Sequence, residues 1–402
     1  FVLGGREERL DMLLDGSCSY LTTDGTGVHT VDLETREMRP SRKEDVAVMA
    51  RVSDALPYIG FFWPPVSAQD YGLTAPLHQC HAGLTNTLKH VRGGMTVYPQ
   101  LAPYVVDMAT AVVGSAEALR RRSPICANFC TIAPLAHDAH SLDTALIYAE
   151  AGIPMSFMAM TTMGSTAPAT VLGAMVEGDA EVISAMVLIQ LAYPGTPVFH
   201  SVYVSMMDPR TGGYIAHAPA PVSMIAVQLA HAWGVPSLGG GSLSSDAKDI
   251  GWQSGMDAGF GAALISHYGG ELSGYLGLVG SSMILYPEQI ILEHEACELA
   301  YEVLHGFQFD EADMALDVIA DVGPGSHFLR HRHTRKHVRD FRLSRVLRQQ
   351  GADGAWREPR EVALEEFKQI SETHHPQPLP KEVLAELDAI LAAAEGEAEQ
   401  IG

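Results

Sequence analysis

The chain has 402 residues, 47% of them hydrophobic, enough for one large α/β domain with additions or for two ordinary domains. Lys and Arg number 26 against 48 Asp and Glu, and the formal charge of −22 repels phosphate backbones and anionic lipid, which argues against nucleic acid as a partner. Apolar runs stop short of the roughly 20 residues that span a bilayer, which argues against a transmembrane helix. The five cysteines (Cys18, Cys80, Cys126, Cys130, Cys297) are odd in number and scattered, so a reducing, cytoplasmic setting is expected. Residue 1 is Phe, not Met, and a natural start upstream is expected.

In chain order, SYLTTDGTGVHTVDLETREMRP alternates apolar and polar residues around Asp24-Gly25, predicting a hairpin in an appended β-rich element over 1–45. Strands are then expected near 56–62, 90–97, 124–130, 153–160, 197–204, 235–240 and 262–268, with an eighth near 274–280. Helices are expected over Ala167–Leu191 behind a capping Ser-Thr pair, over Ala218–Trp233 with prolines in its first turn, and over Pro287–Leu304. This alternation implies parallel strands joined by helical crossovers, and seven or eight such units in about 250 residues match a TIM (β/α)8 barrel, placed over 46–306. A doubly wound sheet is the second reading. From 307 to 402 the chain is more charged, with 330–348 strongly basic and 378–402 a helix with an acidic face. It is expected to be a mostly helical tail packed on the barrel or on a second subunit.

In such a barrel the reactive groups stand where strands run into the following loops. Those residues are Trp63, Tyr98, Asn128 with Cys130, Thr161 with Thr162, Tyr203 with Asp208, Asp246 with Lys248 and Asp249, and His267 with Glu271. The set is rich in aromatic and amide groups and poor in paired basic ones, so it suits a cationic or amphipathic ligand. GGGSLSSDAKD (239–249) follows the expected sixth strand and is open to four readings: a phosphate cradle, a metal site, a Schiff-base lysine at Lys248, or a turn. Asp246 and Asp249 would repel phosphate and would raise the pKa of Lys248, not lower it. The plainest reading is a helix N-terminus whose Ser and Asp groups satisfy backbone donors. His327, His331, His333 and His337 cluster in SHFLRHRHTRKH, but the basic residues among them favour a structural or recognition role over zinc. Cys126, Asn128 and Cys130 alternate onto one strand face, and the two thiols read as small apolar groups.

The order of LTNTLKH (84–90), MGSTAPATVLGAM (163–175), GGGSLSSDAKD (239–249), YPEQIILEHE (286–295) and GPGSHFLRHRHTRKHVRD (323–340) resembles the trimethylamine methyltransferase family, over nearly the whole chain from LGGR (3–6) onward. The resemblance implies a TIM barrel and transfer of a methyl group from a methylated amine to the cobalt of a separate corrinoid protein, with no cofactor bound tightly by this chain. Founding members carry pyrrolysine, whereas this chain has only the twenty standard residues and is similar to the non-pyrrolysine branch. That branch is associated with quaternary amines such as glycine betaine, proline betaine, carnitine or γ-butyrobetaine. A quaternary nitrogen leaves as a neutral amine and needs no general acid, so the protein's task is to align N, CH3 and Co and exclude water. Aromatic faces attract such a cation, by about 0.5–2 kcal/mol per contact.

From their expected strand-end positions, Asp246 and Glu271 are assigned catalytic roles, and Asp249 adds further acidic attraction. Trp63, Tyr98, Phe129, Tyr203 and Tyr268 are cage candidates, and His200 or His267 would receive a substrate carboxylate. No metal ligands are expected. Two other classes stay open: a betaine-binding barrel without chemistry, and a lysine- or metal-dependent lyase. The charged tail and the corrinoid partner's need for an open barrel mouth lead us to expect a homo-oligomer.

Overall fold

Eight parallel strands alternate with helices along the chain: β1 (Tyr20–Thr23), β2 (Ile59–Phe62), β3 (His90–Arg92), β4 (Ile125–Cys130), β5 (Met155–Met163), β6 (Val198–Met207), β7 (Leu238–Ser242) and β8 (Leu272–Leu276). The helices that follow them in turn are α1 (Lys43–Ala55), α2 (Ala75–Asn86), α3 (Ala102–Val113), α4 (Ala139–Ala151), α5 (Val171–Ala192), α6 (Pro221–Ala232), α7 (Trp252–Tyr268) and α8 (Gln289–Leu304). This computed structural model describes residues 1–93, 98–216, 221–304, 310–341 and 344–401, so positions 94–97 of the expected second strand and 218–220 of an expected helix lie outside the described residues. The strands form one curled sheet in the order β6, β5, β4, β3, β2, β1, β8, β7, with Tyr214–Ile215 added antiparallel to β6. At the far side of the curl, His200 of β6 bridges Ser237, just ahead of β7, in parallel, and the His200 N–H donates to the Pro236 carbonyl at 2.9 Å.

Two expectations are corrected. Tyr20–Thr23 is no hairpin arm but a strand of the main sheet, parallel to both β2 and β8. After Asp24 the chain runs on to His29–Val31, which pairs with Met38–Pro40 and with Ile284–Leu285 in a separate small sheet. Residues 262–268 are the second half of α7, not a strand. Gly269 ends that helix in the left-handed region (φ 68°), and the last strand follows at Leu272. A short apolar run such as AALI fits a buried helix as well as a strand, and here helix length decides. The segment GGGSLSS is therefore the seventh parallel strand and its exit, not the sixth.

Local signals account for several boundaries. Asp138 accepts the Ser141 N–H at 2.7 Å and caps α4, and Gly152 (φ 80°) closes it. Thr170 accepts the Gly173 N–H, so α5 begins at Val171, later than the Ser-Thr pair suggests. Both faces of the sheet are buried. The convex face (Phe62, Val91, Phe129, Phe157, Val202) packs under the helices, and the concave face gathers Phe61, Trp63, Cys126, Met158, Phe199, Leu238 and Leu272 over Leu3, Met12 and Leu14 from the N-terminal segment. The tail folds back on the helical layer. Its two long helices are α9 (Pro359–Thr373) and α10 (Lys381–Ile401); Leu387 and Leu391 of α10 are buried, and Glu395 and Glu397 reach His78 and Tyr104.

Candidate active site

All eight strands run the same way, so residues at their carboxyl ends share one end of the sheet. Asp24, directly after β1, is buried; its carboxylate accepts the Gly25 N–H at 2.9 Å and the Ser282 hydroxyl at 2.6 Å. Burial pushes its pKa up to about 7 against the lowering pull of those bonds and of Arg92. Trp63, after β2, is pinned to the β1 exit by a pair of bonds: its N–H donates to the Thr23 hydroxyl at 2.8 Å, and that hydroxyl donates to its carbonyl at 2.5 Å. Gly25 is required beside it, since a Cβ there would lie 2.6 Å from the indole.

Arg92, the last residue of β3, is 1% exposed, and its guanidinium lies 3.6 Å over the Trp63 ring. None of its Nε, Nη1 and Nη2 makes a hydrogen bond of good geometry; the Tyr275 hydroxyl interacts with it only weakly, and Asp24 is near enough to feel its charge. Tyr275 of β8 packs edge-on to Trp63 with ring centroids 6.0 Å apart. Its φ of 57° is strained for a bulky side chain, a kind of strain that concentrates at working sites. Tyr203 of β6 donates to the Ala216 carbonyl at 2.7 Å. Asp246, beyond β7, accepts the Ala216 N–H at 2.9 Å and the Ser281 hydroxyl at 2.6 Å. Beside this cluster, on β4 and β5, the Ser156 hydroxyl donates to Asn128 at 2.5 Å.

The structure thus brings together Trp63, Tyr203 and Asp246 of the expected residues and sets the others apart. Glu271 precedes β8 at the opposite, amino end, where its carboxylate meets His231 at 3.0 Å and the Ser237 N–H at 2.8 Å. His267 and Tyr268 end helix α7 on that side, with His267 bonded to the Ala263 carbonyl one turn back. His200 and Phe129 face the helices: His200 pairs with Asp179 of α5 at 2.8 Å, and Phe129 packs on Tyr148 and Phe157. Tyr98 packs against the same outer layer. Asp249 is exposed and 3.4 Å from Arg360. Trp63 itself has one face covered by Arg92, so that face is closed to a substrate cation.

Lys248 is exposed, without the desolvation a Schiff-base lysine needs. Helix α7 begins only at Trp252, where the Gly251 N–H donates to Ser254, so Asp246 caps no helix. In the histidine cluster the His333 and His337 rings pack at a tilt with centroids 4.3 Å apart and His331 meets Asp321 at 3.2 Å; among the described residues no group of three or more His, Cys, Asp or Glu could hold a metal.

Sequence reasoning missed Asp24, Arg92, Tyr275, Ser281 and Ser282. The signal for Arg92 was present: a lone cation inside an apolar strand is rarely buried without purpose. Asp24 was hidden by the hairpin reading of β1, and Tyr275 lay inside the expected eighth strand (274–280), which in fact ends at Leu276.

The fold defines a class, the α/β proteins of parallel strands and helical crossovers, and it gathers a cluster of buried polar and aromatic side chains at the carboxyl ends of the strands, where enzymes of this class carry their reactive groups. More particularly, the chain belongs to the trimethylamine methyltransferase (MTTB) family, whose model matches residues 1–398. It is 28% identical over 404 residues to trimethylamine methyltransferase MttB of Desulfitobacterium hafniense (strain DSM 10664 / DCB-2), covering 98% of this chain and 81% of that one. It is 30% identical over 300 residues to the glycine betaine methyltransferase of Desulfitobacterium hafniense (strain Y51), covering 71% and 61%. Among solved structures, the monomethylamine methyltransferase MtmB of Methanosarcina barkeri aligns with all of this chain and 78% of its own, at 11% identity and a TM-score of 0.44.

Proposed function

We propose that the protein takes a methyl group from a quaternary amine, a betaine of the non-pyrrolysine branch, and passes it to the cobalt of a corrinoid carried by a separate protein. Beyond family membership, the observation that carries the reading is the convergence of Asp24, Trp63, Tyr203, Asp246 and Tyr275 from five strands on one end of the concave face. The sheet is read as a closed (β/α)8 barrel, supported by the strict strand and helix alternation and by the His200–Ser237 bridge. All five cysteines are free, which supports work in the reducing cytoplasm.

A corrinoid in its Co(I) state supplies the nucleophile. The C–N bond pair leaves with nitrogen, so the amine departs neutral and no side chain has to donate a proton. The residues of this chain bind, orient and exclude water. Asp246 and ionised Asp24 attract the ammonium, and Tyr203 and Tyr275 offer aromatic surface beside it. Because the positive charge disperses as the methyl group departs, these carboxylates stabilise bound substrate at least as much as the transition state. Their loss therefore acts on KM before kcat.

The test mixes the purified protein with a reduced corrinoid protein and a panel of methylated amines while the Co(I) absorbance is followed. Loss of absorbance with a betaine supports the reading; turnover with trimethylamine alone, or with no amine, overturns it. Asp246→Asn is expected to raise KM about tenfold, the equivalent of roughly 1.4 kcal/mol of binding, with kcat changed far less.

A further inference from the structure

We infer that Arg92 receives the substrate's carboxylate, so that the protein selects amines bearing an acid group over simple cationic amines. The inference rests on the reading above that the substrate is a quaternary amine. Arg92 is the last residue of a central strand, 1% exposed, and none of its three guanidinium nitrogens makes a hydrogen bond of good geometry, with only a weak interaction with the Tyr275 hydroxyl beside it. A buried charge in that state is costly, and buried polar groups in folded proteins are almost always paired.

The Trp63 ring covers one side of the guanidinium at 3.6 Å, while its N–H groups lie along its edges. Those edges present the fork of N–H groups that matches the two oxygens of a carboxylate. Asp24 does not fill this role, since its oxygens are taken up by the Gly25 N–H and the Ser282 hydroxyl. The histidines first considered are elsewhere, His200 on Asp179 behind the sheet and His267 at the far end. With Asp24 and Asp246 at the same end of the concave face, the site offers both signs of charge, as a zwitterion requires.

The test measures binding to the purified full chain by calorimetry, with three probes: glycine betaine, tetramethylammonium, and tert-butylacetate, which keeps the shape and carboxylate of glycine betaine but has carbon in place of the charged nitrogen. Arg92→Met is expected to weaken glycine betaine and tert-butylacetate about 100-fold and tetramethylammonium less than twofold. Removal of an unpaired buried charge should also leave the melting temperature at or above that of the unmodified chain. If the Met variant fails to fold, Arg92→Lys, which keeps the charge but loses the fork, is expected to weaken the two acids about tenfold. Equal weakening of all three probes, or none, overturns the inference. Binding of tert-butylacetate through Arg92 without binding of any quaternary amine keeps the role of Arg92 and overturns the amine reading instead.

Discussion

Asp24 illustrates how much a single burial decides. In water its carboxyl would ionise in the ordinary carboxylate range, but under the Ser282 hydroxyl and behind Trp63 its pKa rises to about 7. Because the folded pKa is raised, the folded chain holds a proton that the unfolded chain has already lost. Stability from this group is therefore full below about pH 4, falls as pH climbs toward 7, and stays constant above it. Asp24→Asn keeps an oxygen to accept Ser282 and removes the ionisation. It should be more stable than the unmodified chain at pH 8, by on the order of a few kcal/mol, and by much less at pH 5, read as a higher melting temperature. In the same variant the rise of kcat/KM through about pH 7, expected when ionised Asp24 attracts the substrate cation, should flatten. A melting difference independent of pH would show that Asp24 does not titrate as described.

At the scale of elements, the approach of α7 to β7 determines where Asp246 sits. Gly261 of α7 lies so close to the strand exit that a Cβ there would fall 2.2 Å from the Ser242 carbonyl oxygen. By helix propensity alone, Gly261→Ala would gain about 1 kcal/mol. The clash is with backbone, which cannot rotate away, and overpacking of this kind costs about 1–3 kcal/mol. The variant should therefore melt a few degrees lower and, by pushing the 243–249 loop outward, bind a betaine more weakly. A higher melting temperature would mean that helix and strand separate freely. This glycine carries no distinctive sequence signal, because the helix it belongs to is not expected from the sequence and its second half, from 262 on, reads as a strand.

For the whole molecule, the tail is part of the fold. In α10, Leu387 is fully buried and Leu391 is 5% exposed, and burial of two such side chains contributes roughly 3–6 kcal/mol. That is a large share of the ~5–15 kcal/mol by which a domain exceeds its unfolded state. A chain ending at residue 380 should accordingly melt well below the full chain and aggregate through the α2 and α3 surface it uncovers. Unchanged melting on scanning calorimetry would place the tail outside the cooperative unit.

The sequence by itself determined the alternation of strands and helices, the position of most inner strands, the helical acidic tail and the family. These are local properties, read from period, caps and motif order. Only the tertiary structure decided that Tyr20–Thr23 belongs beside Leu272–Leu276, a pairing of residues some two hundred and fifty positions apart that no local pattern encodes. It also decided which face of each strand looks inward. In a sheet covered on both sides both faces are apolar, so alternation separates Phe129 and His200 from Asn128 and Ser201 without saying which pair meets the ligand. The curl of the sheet makes that choice, and it turned Arg92, unremarked in its strand, toward the site.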